Sequence, residues 1–141
     1  MKSNLVKFAF LPLVAFTLIF TLSNCKKDKK PTLRETLVGE WEIKSFTIDG
    51  VETKGSVVKA SKMEFEKYTG NNGDFEWTIS YMDGSTDIEA GDYEVDEEDG
   101  EIEFQSADGN TIKLEFDING DELELEGIID AERVVIKADR D

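Results

Sequence analysis

From residue 40 onward the chain is built of short runs in which apolar and polar residues alternate. In "FEWTISY", Phe75, Trp77, Ile79 and Tyr81 fall on one face, with Glu76, Thr78 and Ser80 on the other. "TIKLEFDI" sends Ile112, Leu114, Phe116 and Ile118 one way and Lys113, Glu115 and Asp117 the other. "EIEF" and "ELELEG" repeat the scheme with Ile102, Phe104, Leu123 and Leu125. A period of two marks a strand with one buried face. The pattern predicts eight strands, at about 40–48, 58–67, 74–82, 87–95, 100–106, 110–118, 121–127 and 131–138.

Between the runs stand Asp49-Gly50, Asp83-Gly84, Asp99-Gly100, Asp108-Gly109 and Asn119-Gly120. Asp-Gly and Asn-Gly are the strongest short hairpin signals, because a type I′ turn needs positive φ at both central residues. The expectation is an all-β, up-and-down antiparallel meander. Two strands break phase: Trp41 and Ile43 give way to Phe46 and Ile48, and Ile88 gives way to Tyr93 and Val95 across "AGD". Each break predicts a bulge, which bends a strand as barrel closure requires. Charged outer faces with a single apolar interior then predict a closed eight-stranded β-barrel. Ahead of it, "TLRETLVG" predicts one helical turn, with Thr32 as cap and Glu35 as its capping-box partner.

The N-terminus is patterned differently. Lys2 and Lys7 precede an uncharged apolar stretch, Phe8 to Leu22, of signal-peptide length; it is short for a membrane span and contains Pro12. "LSNC" follows, with Leu22 three residues before Cys25. This arrangement resembles the lipobox of bacterial lipoproteins, which implies lipidation of Cys25 and cleavage before it. Two or more acyl chains hold a protein stably on a membrane. "KKDKKPT" then reads as a tether. The expected organisation is a signal peptide over 1–24, a lipidated cysteine and tether over 25–32, and a barrel domain over 33–141. By the rule known from the lipoproteins it resembles, Lys26 after the cysteine implies outer-membrane sorting and leaves the leaflet open.

Composition narrows the chemistry. The chain has no histidine and one cysteine, which excludes His-based acid–base catalysis, His-dependent nucleophilic triads and Cys/His zinc sites. A net charge of −16 opposes nucleic-acid binding. From Asp83 to Glu126 there are 18 acids and one basic residue, Lys113, so one side of the barrel carries a strong negative field. "EFDINGDELELE" approaches a calcium loop, but Glu122 occupies the usual apolar position and strands flank it where helices belong. A hairpin explains it, and no metal, cofactor or catalytic residue is expected.

Gly39-x-Trp41 in "LVGEW", followed by "AGDYEVDEEDGEIEF", resembles the lipocalin family. The likeness is to the small lipocalin-like domains of bacterial envelope lipoproteins and runs over residues 33–138. It implies a tryptophan lying across the closed end of the barrel beneath a basic side chain near the chain's end. The last strand runs antiparallel to the first, so Arg140 or Lys137 is better placed than Arg133 to cover Trp41. Gly39, Trp41 and Arg140 then form the barrel floor. The same parity puts loops 49–57, 83–86, 106–110 and 127–130 at the open mouth; Val51, Val57 and Val58 either line that mouth or, the reading favoured here, simply anchor their loop.

Seven aromatic side chains are expected inside. They either fill the barrel, which their bulk favours, or line a pocket whose walls would be Trp77, Tyr81, Tyr93 and Phe104. Two functional readings stay open. One is a lipid-anchored, non-catalytic, monomeric lipoprotein that binds a small hydrophobic ligand. The other is a filled barrel that meets an envelope protein partner through its acidic surface.

Overall fold

The computed structural model describes residues 30–141. Cys25 and the apolar segment before it lie outside the described residues. A helix, α1 (Leu33–Leu37), leads into β1 (Gly39–Ile48), β2 (Val51–Glu52), β3 (Val58–Phe65), β4 (Gly73–Tyr81) and β5 (Thr86–Asp96). β6 (Glu101–Ser106), β7 (Thr111–Asn119), β8 (Glu122–Ile129) and β9 (Glu132–Arg140) complete the chain. Each strand from β3 to β9 pairs antiparallel with the next, β1 pairs with β3, and β1 also pairs with β9. The result is a closed eight-stranded antiparallel barrel, with β2 as a two-residue flap on the end of β1. Every barrel strand lies within two residues of its expected span.

The capping box at α1 is complete. The Thr32 hydroxyl accepts from the Glu35 backbone N–H at 3.2 Å, and the Thr32 N–H donates to Glu35 Oε2 at 2.9 Å. These bonds stop the chain from fraying just before the barrel.

The turns are built differently from the simple hairpin expectation. Of the five Asp-Gly and Asn-Gly sites, only Asp49-Gly50 has both residues at positive φ, 49° and 79°. At the other four the glycine alone turns left-handed. Two of the acids there serve as side-chain acceptors: Asp83 Oδ1 takes the Ser85 N–H at 2.8 Å, and Asp108 Oδ1 takes the Asn110 N–H at 3.1 Å. An aspartate thus substitutes for a backbone carbonyl and rounds off the loop. The β8–β9 turn has both central residues left-handed, Asp130 at 51° and Ala131 at 69°, with no glycine to announce it.

The first expected bulge is present, since the β1–β9 register shifts between Ile43 and Ser45. The second is not. β5 pairs without interruption to β4 and β6. Asp87, Glu89, Gly91, Tyr93 and Val95 share the inward parity, and Ile88 points out, 62% exposed. Gly91 is required by crowding, because a Cβ there would sit 2.0 Å from the Gln105 carbonyl oxygen.

The core is continuous at the α1 end. Trp41, Ile43, Ile102 and Leu125 are fully buried there, and each such side chain contributes roughly 1.5–3 kcal/mol of transfer free energy. Arg140 closes that end. Its guanidinium carbon stands 4.3 Å from the Trp41 ring centroid, it donates to the Val38 carbonyl at 2.9 Å and it also donates to the Thr36 carbonyl. The Trp41 indole N–H donates to the Leu37 carbonyl at 2.8 Å. Gly39 makes room: its φ is 128°, and a Cβ would come within 3.0 Å of Arg140 Nη1. Arg34 covers Tyr68 in the same way, at 4.1 Å.

Arg140→Ala is expected to cost about 2–4 kcal/mol in unfolding free energy, from the lost cation–π contact and the two carbonyls left without a donor. Arg140→Lys should recover less than half of it, since an ammonium cannot reproduce the planar fork. Urea denaturation measures both, and an unchanged midpoint for the alanine variant would make Arg140 a bystander.

Candidate ligand cavity

The barrel is filled at its floor and open above. A cavity of about 450 Å³ occupies the half away from α1. Met63, Phe75, Phe104 and Leu114 form its base, and Phe46, Ile48, Trp77, Ile79, Ile112 and Ile129 its walls. Tyr81, Ser106, Asn110, Asp87, Glu89, Asp130 and Glu132 lie toward the mouth. The interior is therefore divided between a packed half and an open half, and the bulk of the aromatics does not fill it throughout.

Of the four expected wall residues, three meet here. Trp77 is held by its indole N–H, which donates to Ser61 Oγ at 2.8 Å, and by an edge contact with Phe46 at 5.8 Å between centroids. Ser61 is buried, so this bond satisfies both polar groups at once. Phe104 packs edge-on against Phe75 at 5.0 Å and is 6% exposed, which makes it base rather than wall. Tyr81 stands at the rim. Burial first, then its contact with Asp87, pushes its hydroxyl above the usual phenol range.

Tyr93 is a correction. It does not line the cavity; it is 1% exposed on the packed side, wedged edge-on between Phe65 and Tyr68 at 5.1 and 5.2 Å. Its hydroxyl donates to the Glu66 carbonyl at 2.6 Å, so it is spent as a structural pin. Parity alone could not separate Tyr93 from Trp77, because both face inward and only height along the barrel distinguishes them. Of the two readings of the loop valines, the mouth role is the one that fails. Val51 and Val57 are exposed, Val58 is buried beside β4, and none of the three touches the cavity. The β2 flap holds that loop down, with the Thr53 N–H donating to the Phe46 carbonyl at 2.8 Å.

Sequence reasoning does not single out Phe46, Ile48, Ile79, Ile112, Ile129 or Ser106 as cavity residues. The available signal is inward parity at the mouth end of each strand. Ser106 is 7% exposed and brings a hydroxyl to the cavity lining. The calcium-like stretch is the β7–β8 hairpin, turned at Gly120.

No family model matches the chain, and no curated protein matches it. Solved structures share the fold. A redesigned β-barrel is 13% identical over 79% of this chain and 99% of its own, with a TM-score of 0.60. The redesigned barrel mFAP1, bound to DFHBI, is 14% identical over 78% of this chain and 100% of its own, with a TM-score of 0.55. A de novo designed fluorescence-activating β-barrel is 21% identical over 74% of this chain and 93% of its own, with a TM-score of 0.54.

The tyrosines give a pH test. Burial is the leading cause that raises Tyr68, Tyr81 and Tyr93, most strongly Tyr93. Folded tyrosines keep protons that the unfolded chain sheds near pH 10, so this stabilisation is full below about pH 10 and falls as pH rises. Ultraviolet titration should find tyrosinate forming at higher pH in native than in urea-unfolded protein. Coincident titration curves would contradict the burial described.

Proposed function

We propose that this protein is a lipid-anchored, non-catalytic lipocalin-like lipoprotein of the bacterial envelope that binds a small hydrophobic molecule. The observation carrying the proposal is the aromatic and aliphatic cavity in the mouth half of the barrel. Its volume of about 450 Å³ falls among those of small-molecule sites, roughly 300–1,000 Å³. Its lining follows the usual recipe, apolar walls with a few convergent polar groups, here Ser106, Tyr81 and Asn110. A barrel of the same fold, mFAP1, holds a small molecule, DFHBI.

Anchoring is proposed from "LSNC" and the charged, apolar leader before it. The Trp41–Arg140 floor lies beside α1, to which the tether leads. A tether at the floor would leave the mouth facing away from the membrane, free for ligand entry. The acidic-surface reading requires a filled barrel, and the cavity favours the ligand-binding one.

Native mass spectrometry of protein taken from its own envelope is expected to find a retained small molecule. Ile129→Trp, which places an indole in the cavity, should lose that molecule while melting within a few degrees of the parent. Retention of the same molecule by the tryptophan variant would move the site elsewhere. For the anchor, Cys25→Ser is expected to leave the membrane fraction and to take up no labelled palmitate; unchanged partitioning would defeat the lipoprotein reading.

A further inference from the structure

The mouth breaks the rule that the rest of the barrel obeys. On β5 the inward positions read Asp87, Glu89, Gly91, Tyr93 and Val95 from mouth to floor, while the apolar Ile88 points to solvent. On β9 the inward series is Glu132, Val134, Ile136 and Ala138, again with an acid at the mouth. Asp130 sits in the tight turn beside it. All four acids border the cavity, and no lysine or arginine among the described residues does. Arg133, next to Glu132 in the chain, is turned away from the acids: its Nε donates to Glu126 at 2.8 Å.

From this we infer that the cavity selects a small organic ammonium, with its apolar body among Phe46, Trp77 and Ile112 and its cationic head at the acidic rim. This inference rests on the ligand-binding reading and adds the charge of the ligand to it. A local break of inward–outward patterning is expected where a site needs it, because folding alone would place apolar residues at those positions. Carboxylates at the opening of a low-dielectric recess focus a negative potential there, which draws cations in and repels anions such as fatty carboxylates. The aromatic rings just inside supply a second attraction, through their negative faces.

The test uses the full chain in nanodiscs of uncharged phospholipid, with empty nanodiscs as blank. Equilibrium dialysis compares naphthylmethylammonium, naphthylmethanol and naphthylacetate, which share a ring and differ in charge. The ammonium is expected to bind roughly tenfold more tightly than the carboxylate, with the alcohol between them, and the gap should shrink as salt rises from about 20 mM to about 0.5 M. Joint replacement Asp87→Asn, Glu89→Gln, Asp130→Asn and Glu132→Gln should level the three affinities. If circular dichroism finds that variant unfolded, Asp87→Asn with Glu89→Gln alone should reduce the gap.

Equal binding of ammonium and carboxylate, or a charge preference surviving in the folded variant, overturns the inference and leaves the pocket standing. Failure of all three probes to bind overturns the pocket as well.

Discussion

The barrel depends on a seam. Eight strands close only if the last pairs with the first, and here Trp41 stands opposite Arg140 in that pairing. The contacts that hold the seam's floor end converge on those two side chains. The guanidinium covers the indole and ties down the Thr36 and Val38 carbonyls, while the indole N–H donates to the Leu37 carbonyl. The end of α1 therefore has its carbonyls satisfied by side chains of the barrel, which is how a short helix is kept from fraying. The exposed Asp121 carboxylate near Arg140 adds little, as surface pairs do.

A rigid floor allows an incomplete ceiling. The packed half carries the core from Trp41 to Ile102 and Leu125, so the mouth half can keep unfilled space and inward-facing carboxylates without unfolding the sheet. Phe104 divides the two regions: it packs on Phe65 and Phe75 below and forms the base of the cavity above. Binding capacity and stability are thus assigned to opposite ends of one interior, and the aromatic layer between them keeps the cavity walls fixed.

Much of this is legible in the sequence where the physics is local. The period of two in β4 and β7 and the Asp-Gly pairs place the strands, because side-chain direction along a strand and left-handed turns are short-range properties. The capping box at Thr32 and Glu35 is equally local. Height along the barrel is what the sequence does not carry. Tyr93 and Trp77 give the same inward signal, yet one ends pinned on the Glu66 carbonyl and the other beside open space. The apparent phase break at "AGD" misleads for a related reason. Ile88 reads as inward because it is apolar, whereas the register set by Tyr93 makes Asp87 and Glu89 inward.

The sequence by itself determined the eight barrel strands, their ends to within two residues, the helical turn and the closed up-and-down order, since alternation and turn chemistry act between near neighbours; it did not announce the two-residue β2. Tertiary structure alone decided which inward residues touch each other, how much of the interior is filled and which charges ring the opening. Those properties depend on the relative stagger of eight strands brought together around the seam, and stagger is a sum of registers that no single stretch of the chain encodes.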